Sequence, residues 1–255
     1  MSQLDITRSH LFPAIPHGFL GRRGGVSTGI HAGLNVGLGS DDDRAAVTEN
    51  RDRAVEGVLS GAKLVTLHQV HSADVVTITA PYADDARAHA DGMVTDRPGL
   101  LLGILTADCV PVLFADVEAG IIGAAHAGWK GAISGITDNT ITAMEVLGAD
   151  RSCIIAAIGP CIARMSYEVD AAFTRRFEDH DPANERFFTP SRTEHFQFDL
   201  EAYVANRLAV VGLARVEMLG LDTYTNLDRY FSFRRATHRG ETDYGRQISL
   251  IGLPR

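Results

Sequence analysis

Runs of apolar residues at two different spacings divide the chain into strands and helices. Short apolar segments bounded by polar residues or glycine predict buried strands, and they lie at 64–67, 75–79, 100–105, 110–115, 121–125, 154–158, 216–219 and 247–250. Apolar residues that recur every three or four positions predict helices at 44–59, 130–147, 170–179 and 200–211. Strands and helices do not alternate regularly, which favours an α+β fold with mixed sheets over a Rossmann-type fold.

Two segments lack both spacings and are predicted to be loops. Residues 18–40 combine many glycines with Arg22 and Arg23, and glycine reaches the backbone angles that tight turns require. Residues 225–246 form a long polar segment that contains Arg234 and Arg235. Long loops in compact domains are often functional, so this segment is a second place to expect binding groups.

Composition restricts the class of protein. A chain of 255 residues with 45% apolar and 22% charged residues is typical of a globular protein, and we expect one domain over residues 1–255. The net charge of −8 disfavours a nucleic-acid partner. No secretory signal is recognised, and the longest apolar stretch, 100–115, is broken by Asp108 and Pro111, which disfavours a membrane role. Three cysteines indicate reduced thiols and a cytoplasmic location.

Cys109 and His126 carry the sharpest inference from spacing. A hairpin centred near Glu118 places residue 109 opposite residue 127. If the strand pairing is shifted by one residue, Cys109 and His126 are cross-strand neighbours. Opposed side chains in an antiparallel pair have Cβ atoms roughly 4.5–5.5 Å apart, close enough to share a metal or a proton. His71, which stands just before a predicted strand, is the third candidate.

A cysteine with two histidines is compatible with two chemistries. Three protein ligands with an open fourth position make a catalytic zinc site, and zinc lowers the pKa of bound water to about 7. Alternatively, Cys109 is a thiolate nucleophile and His126 is its base. Cysteine in a strand also serves packing alone, and the chain has no CxxC or HExxH spacing that would favour a metal.

Two carboxylates lie close to these residues in the sequence. Asp108 precedes Cys109, and Asp91 stands in Ala90-Asp91-Gly92. Either could orient a ligand histidine or act as an acid or base. Asp91 is also typical of a turn residue.

Arginine and tryptophan supply further candidate binding groups. Arg22 and Arg23 in the glycine-rich segment are candidates for phosphate, which guanidinium forks and backbone N–H groups both suit. Arg234 and Arg235 are a second pair, although solvated arginines are as common. Trp129 follows His126 by three positions and could stack on a planar ligand or pack in the core.

Several segments together resemble one protein family. The motifs are Gln69-Val70-His71, Ala90-Asp91-Gly92, Thr106-Ala107-Asp108-Cys109-Val110-Pro111, Ala125-His126-Ala127-Gly128-Trp129, Ile158-Gly159-Pro160-Cys161 and Tyr230-Phe231-Ser232-Phe233-Arg234-Arg235. They resemble the laccase-domain family, also called the YfiH-like or multicopper polyphenol oxidase family, whose members are also described as purine nucleoside phosphorylases. The resemblance runs roughly from residue 18 to residue 251 and includes Arg22 with Gly24-Gly25-Val26-Ser27.

This resemblance implies a fold, a metal and an activity. The implied fold is a four-layer α/β/β/α sandwich similar to the catalytic domain of cytotoxic necrotizing factor. The implied metal ligands are His71, Cys109 and His126, with zinc the usual metal and copper the earlier attribution. The implied reactions are phosphorolysis of adenosine, inosine, guanosine and 5′-methylthioadenosine, and deamination of adenosine to inosine. Purine nucleosides and phosphate are therefore the expected partners.

Roles for individual residues follow as hypotheses. In deamination, hydroxide attacks C6 of adenine, and Asp108 is the candidate proton shuttle. In phosphorolysis, phosphate attacks C1′ of the ribose, and Arg22, Arg23 and Arg234 are the candidates to hold it. Asp222-Thr223 stands where many members have Cys-Thr, a departure that affects the pocket lining and the substrate preference.

Three other functions compete with the purine hypothesis. A copper polyphenol oxidase needs several histidines for each copper cluster, and this chain has no His-x-His pair. A cysteine hydrolase or amidase acting on peptidoglycan precursors would use Cys109 as its nucleophile. A non-catalytic interaction protein would bind no metal and turn over no nucleoside.

Overall fold

The structure, a computed structural model, describes residues 3–213 and 215–254. Strands in this part of the chain are β1 (Ile6–Thr7), β2 (His17–Leu20), β3 (Lys63–Thr66), β4 (Val75–Thr77), β5 (Gly92–Thr95), β6 (Leu100–Thr106), β7 (Val110–Asp116), β8 (Ile121–Ala127), β9 (Ile155–Ile158), β10 (Glu168–Asp170), β11 (Phe188–Pro190), β12 (His195–Phe198), β13 (Arg215–Met218) and β14 (Gln247–Gly252). The α-helices there are α1 (Arg44–Val58), α2 (Trp129–Ile133), α3 (Ile136–Leu147), α4 (Ala171–His180), α5 (Leu200–Val210) and α6 (Phe233–Arg239). None of these helices is long and apolar enough to cross a membrane.

Two large mixed sheets form the centre of the molecule. The first has the strand order β1-β2-β14-β6-β3 and is antiparallel except for the β3–β6 pair. The second has the order β13-β9-β7-β8-β5-β4, with parallel pairs at its two edges and antiparallel pairs between them. A small antiparallel sheet, β10-β12-β11, lies apart from both. The predicted α+β fold with mixed sheets is confirmed.

Successive residues of the central strands belong to different apolar cores. Leu102 of β6 and Leu113 of β7 pack in the core between the two large sheets. Their neighbours point the other way, because side chains alternate along a strand. Leu101 packs with Ala54 of α1, and Phe114 belongs to the core that the second sheet shares with α3 and α5. The layers are therefore helix, sheet, sheet and helices, as the family resemblance implied.

All eight predicted strands are present, with ends that differ by two residues at most. The periodicity did not reveal β2, which lies at the start of the segment expected to be a loop, nor the short strand β5. It also missed β1 and the three strands of the small sheet. These strands are short, so they offer too few positions for alternation to be recognised.

Two predictions about helices were wrong. The single helix expected over 130–147 is two helices. The first ends at Ile133, and Gly135, whose φ of 89° is not helical, precedes the start of α3. The segment 225–246, expected to be a loop, contains α6. The Ser232 hydroxyl accepts a hydrogen bond from the Arg235 amide at its start, and Gly240 ends it with a φ of 65°. A serine and a glycine at these positions are ordinary helix boundaries.

Candidate metal centre

His71, Cys109 and His126 converge at one end of the two sheets. Their ligand atoms all lie within 4.8 Å of one another. The Cys109 Sγ is 3.8 Å from the His71 Nε2, and the two imidazole rings are 4.8 Å apart at 75°. His126 is buried, Cys109 is half-buried and His71 is exposed, so the cluster is reached from solvent on the His71 side.

The hairpin between β7 and β8 brings Cys109 to His126 in a different register from the expected one. Val110 pairs with Ala127 and Pro111 with His126, which continues to Cys109 opposite Gly128. Cys109 and His126 are therefore diagonal neighbours rather than directly opposed residues. Diagonal neighbours lie about 7–8 Å apart at the backbone, within reach of long side chains.

Gly128 provides the space that the cluster occupies. A Cβ on this residue would lie 2.6 Å from the His71 Cδ2 and 3.1 Å from the Cys109 Sγ. Both distances are shorter than van der Waals contact, so a side chain here would displace two of the three clustered residues. The absence of a Cβ at position 128 is what allows the thiol and the imidazole to approach each other.

Asp91 organises two of the three clustered residues. Its carboxylate is fully buried, and its Oδ1 accepts a hydrogen bond from the His126 Nδ1 at 2.7 Å. Its Oδ2 accepts from the amides of Val70 and Ser72, at 3.1 and 2.7 Å. These amides flank His71, whose φ of 62° is uncommon for a residue other than glycine. One carboxylate thus holds the His126 ring and the strained turn that carries His71.

The reach of Asp91 follows from strand pairing. Gly92 of β5 pairs with Ala125 of β8, so Asp91 lies opposite His126 where the pairing continues. The His126 amide also donates to the Asp91 carbonyl at 2.7 Å. The sequence is compatible with Asp91 as an orienting residue or as a turn residue. The short strand β5, which begins directly after Asp91, is the feature that distinguishes an orienting residue from a turn residue here.

Charge in the cluster favours a thiolate beside an imidazolium. Burial by itself would raise the pKa of Cys109, but His126 and His71 outweigh it and lower that pKa to about 6. Burial would likewise lower the pKa of His126, whereas Cys109 and Asp91 raise it to about 9. Hydrogen bonds from His126 and from the Ser72 and Val70 amides overcome burial at Asp91 and lower its pKa to about 2.

The donor set fits a metal ion. Because Nδ1 of His126 is committed to Asp91, Nε2 is the nitrogen left to act as a ligand, and a carboxylate behind a ligand histidine is a common feature of metal sites. Ordinary zinc–nitrogen and zinc–sulfur bonds in a tetrahedral site place the two ligand atoms about 3.6 Å apart. The observed separation of 3.8 Å between His71 Nε2 and Cys109 Sγ requires little adjustment. Thiolate and imidazole together suit zinc or copper.

The Asp108 carboxylate is hydrogen-bonded to residues outside the cluster, whereas a proton shuttle would direct its carboxylate toward the cluster. Its oxygens accept hydrogen bonds from the Thr223 hydroxyl at 2.6 Å, the Ser232 hydroxyl at 2.9 Å and the Arg234 amide at 2.7 Å. Its φ is 87°, and burial raises its pKa even though these bonds oppose the rise. Asp108 therefore connects the chain before Cys109 to the start of α6.

The structure does not bring Arg22 and Arg23 to the cluster. The Arg22 guanidinium donates to the carbonyls of Ala32 and Leu227 and lies 4.5 Å above the Phe231 ring. It lines a separate cavity of about 220 Å³. Arg23 is exposed and donates to the Asp228 carbonyl. Both side chains are used to hold the loops around them, which spacing along the sequence does not reveal.

Two cavities meet at the cluster. The first, of about 320 Å³, is lined by Val70, His71, Ala107, Asp108, Cys109, Trp129, Lys130, Ile162, Tyr167, Leu200, Phe233 and Arg234. The second, of about 310 Å³, is lined by Gly37, Leu38, Gly39, Leu67, His68, Gln69, His71, Arg87, Leu105, Thr106, Ala107, Cys109, His126, Tyr244 and Arg246. His71, Ala107 and Cys109 belong to both. Each volume is in the range of small-molecule sites, about 300–1,000 Å³.

The first cavity brings together Trp129 and Arg234, two residues that the sequence singled out. The Arg234 guanidinium donates to the Glu168 carbonyl and lies 5.2 Å from the Tyr167 ring. Trp129 is half-buried and packs on Phe173 of α4, with ring centroids 5.0 Å apart. It therefore serves the core and the cavity wall at once.

The fold and the site define an α/β/β/α protein with a metal-type His-Cys-His cluster between two cavities. Residues 16–254 match the model of the family described as multi-copper polyphenol oxidoreductase laccase, and the chain belongs to this family. A Deinococcus radiodurans protein named purine nucleoside phosphorylase is 40% identical over 243 residues, covering 95% of this chain and 90% of the relative. A Corynebacterium glutamicum protein with the same name is 37% identical, covering 93% and 94%.

Solved structures support the same grouping. A Neisseria meningitidis protein of the family DUF152 superposes with a TM-score of 0.88 at 31% identity, covering 99% of both chains. YlmD from Geobacillus stearothermophilus superposes with a TM-score of 0.86 at 31% identity, covering 97% of this chain and 94% of that one. The family resemblance recognised in the sequence motifs is confirmed.

Proposed function

We propose that this chain is a metal-dependent enzyme acting on purine nucleosides. The activities proposed are phosphorolysis of adenosine, inosine, guanosine and 5′-methylthioadenosine, and deamination of adenosine to inosine. The observation that carries the proposal is the His71–Cys109–His126 cluster opening into a cavity with aromatic walls. Relatives named purine nucleoside phosphorylase support it, because they cover nearly the whole chain.

His71, Cys109 and His126 hold the metal in this proposal, and zinc is the metal proposed. A bound zinc ion supplies Lewis-acid activation of water at neutral pH. Asp91 keeps the His126 ring in one tautomer by accepting a hydrogen bond from its Nδ1–H. Asp108, whose carboxylate is engaged by Thr223 and Ser232, acts as a positioning residue for Cys109 and α6.

The first cavity is the proposed site of the purine base. Trp129, Tyr167 and Phe233 supply aromatic surface against which a planar heterocycle can stack. Arg234, which lines the same cavity, supplies hydrogen-bond donors for the acceptor atoms of the purine or its ribose. An apolar wall with a few polar groups is the usual construction of a small-molecule site.

We further propose that residues 1–255 act as one domain in the cytoplasm. The strand β14, near the end of the chain, lies between β2 and β6 in the first sheet, so both ends of the chain contribute to one core. A ligand thiol needs a compartment in which cysteines stay reduced.

A polyphenol oxidase is disfavoured by the number of ligands. Within residues 3–213 and 215–254, the cluster of His71, Cys109 and His126 is the only group of three or more His, Cys, Asp or Glu side chains arranged to hold a metal ion. A multicopper oxidase needs further histidine clusters for its other copper ions.

A cysteine hydrolase acting on peptidoglycan precursors is a second candidate. The Cys109 and His126 ligand atoms lie within 4.8 Å of each other, and the Asp91 carboxylate accepts a hydrogen bond from His126, so the three residues occur in the order of a nucleophile, a base and an orienting carboxylate. In that case the metal-free chain would be active, and iodoacetamide would abolish turnover at Cys109.

One incubation separates these proposals. Zinc-loaded, metal-analysed protein is mixed with adenosine, with and without orthophosphate, and the products are separated by chromatography. We expect adenine only with phosphate and inosine without it. His126→Ala should lose both products, whereas the control His195→Ala, a half-buried histidine outside both cavities, should retain them. If adenosine, inosine and methylthioadenosine all survive zinc-loaded protein, the purine proposal is wrong.

A further inference from the structure

We propose that the second cavity is the oxyanion subsite of this centre and holds the phosphate that attacks the nucleoside. This inference rests on the proposed function and adds to it the position of the second substrate. The residues assigned to the phosphate are Arg87, Arg246 and Thr106. None of them is among the arginines that the sequence motifs suggested for phosphate.

The charge of the second cavity is opposite to that of the chain. Arg87 and Arg246 line it together with His68, and none of its lining residues in the described part of the chain is an aspartate or glutamate. The whole protein has a net charge of −8. A cleft lined by two arginines and no carboxylate concentrates anions locally even when the molecule is acidic.

Thr106 provides an independent observation. It is the last residue of β6, its side chain is only 3% exposed, and its hydroxyl has no hydrogen-bond partner among the described residues. Buried hydroxyls are almost always hydrogen-bonded. Because Thr106 lines the second cavity, its hydroxyl is an unused hydrogen-bonding group beside the proposed phosphate position.

The two arginines are held in place without being neutralised. The Arg87 Nε donates to the Asp84 carbonyl at 2.7 Å. The Arg246 guanidinium lies 4.3 Å from the Tyr244 ring and donates to the Tyr244 carbonyl at 3.4 Å. Within residues 3–213 and 215–254, neither guanidinium forms an ion pair with a carboxylate. Positioned guanidinium groups with full charge are the usual partners of phosphate oxygens.

The arrangement of the two cavities suits a displacement at C1′ of the ribose. With the purine in the first cavity, the ribose would lie over Ala107 and Cys109, which line both cavities. In this position its anomeric carbon faces the second cavity. A phosphate oxygen forms the new bond to C1′ as the C1′–N9 bond breaks, and the electron pair leaves with the purine. The proton of the hydrogen phosphate ends on the purine, so the products are ribose 1-phosphate and the free base.

The same chemistry would also bind the 5′-phosphate of a nucleoside monophosphate. Free orthophosphate and a nucleotide therefore form two arms of the test. Orthophosphate and AMP are each titrated by calorimetry into zinc-loaded protein. We expect orthophosphate to bind to the wild-type protein. We expect AMP to bind no more tightly than adenosine.

The variants are Arg246→Gln, Arg87→Gln and Thr106→Val, with Arg97→Gln as the matched control. Arg97 is exposed, pairs with its neighbour Asp96, and precedes β6 at the end opposite Thr106. Each cavity variant should raise the KM for phosphate about 10-fold or more, as expected for loss of one hydrogen bond to a charged group. The KM for adenosine should change less than about twofold, since that substrate occupies the first cavity.

Each outcome of these measurements either supports or overturns the assignment of the second cavity to phosphate. Turnover with an unchanged KM for phosphate in Arg246→Gln and Arg87→Gln, both folded by circular dichroism, would overturn the inference. Arg246→Lys, which keeps the charge but loses the fork, should recover part of the phosphate affinity. Tighter binding of AMP with no binding of orthophosphate would also overturn it, because the cavity would then hold a nucleotide phosphate. If wild type turns over no purine nucleoside, the proposed function fails, and calorimetry still decides whether these side chains bind orthophosphate.

Discussion

The His126 Nδ1–H donates a hydrogen bond to the Asp91 carboxylate across 2.7 Å, and both side chains are buried. The other carboxylate oxygen accepts from the amides on either side of His71. Asp91 therefore determines the orientation of one clustered histidine through its ring and of the other through its backbone. Neither function requires Asp91 to touch a metal or a substrate.

Asp91→Asn should weaken zinc binding about 10- to 100-fold, the usual cost of losing a carboxylate behind a ligand histidine. An amide cannot accept hydrogen bonds at both of its terminal atoms, so either the His126 ring or the His71 turn loses its partner. Chelator competition measures the affinity. Asp74→Asn, an exposed carboxylate on the same segment, should bind zinc like wild type. Equal affinities for the two variants would contradict the role assigned to Asp91.

Gly128→Ala should abolish metal binding while leaving the fold intact. Its Cβ would lie 2.6 Å from His71 and 3.1 Å from Cys109, so the two ligands would have to move apart. Metal content by elemental analysis and secondary structure by circular dichroism test this. Gly120→Ala, at the turn of the same hairpin, meets nothing within 4 Å but has a φ of 66°. It should lose about 1 kcal/mol of stability and bind metal fully.

Asp108→Asn separates an acid–base role from a positioning role. Asparagine tolerates the left-handed φ of 87° at this position, but it weakens the bonds to Thr223, Ser232 and the Arg234 amide. We expect the free energy of unfolding to fall by about 1–3 kcal/mol and the pH profile of kcat to keep its shape. Thr223→Val, which removes one of the same bonds, should behave similarly. A lost limb of the pH profile in Asp108→Asn alone would restore the proton-shuttle hypothesis.

Asp222 gives the chain a stability that depends on pH. Burial would raise the pKa of this carboxyl, but hydrogen bonds from Ser166, Ala163, Thr225 and Tyr224 lower it below its usual value. Because the folded pKa is lower, the stabilisation is present above the unfolded pKa of about 3.9. It is lost as the pH falls through the folded pKa.

Asp222→Asn should therefore be less stable than wild type near pH 6, by about 1–3 kcal/mol. The difference should shrink as the pH falls below about 4. Urea unfolding at several pH values measures it, and Asp228→Asn, an exposed carboxyl nearby, is the control. A difference that stays constant down to the lowest pH at which both proteins fold would contradict this account.

Much of the fold was predictable from the sequence because its central strands are long and apolar. β6, β7 and β8 are seven residues each and are buried on both faces or nearly so, which produces continuous apolar runs. The hairpin between β7 and β8 followed from the short turn at its centre. This local geometry was enough to bring Cys109 and His126 near each other, despite a register that differed from the expected one.

Segments without a long apolar pattern were interpreted less well. α6 has only seven residues, and its boundaries depend on Ser232 and Gly240 rather than on an apolar stripe. Arg22 and Arg23 looked like phosphate ligands because they stand among glycines. Their hydrogen bonds instead go to carbonyls from distant parts of the chain, such as Leu227 and Asp228.

The sequence by itself determined eight of the strands, the mixed fold class, the identity of the His-Cys-His residues and the family. Only the tertiary structure decided what surrounds them. β5 pairs with β8 and sets Asp91 against His126, while Arg87, Thr106 and Arg246, from three separate segments, meet in one cavity. The pattern of apolar residues within one segment indicates which face of a helix or strand is buried. Contacts between distant segments depend on which strands become neighbours, and the packing of the whole chain decides this.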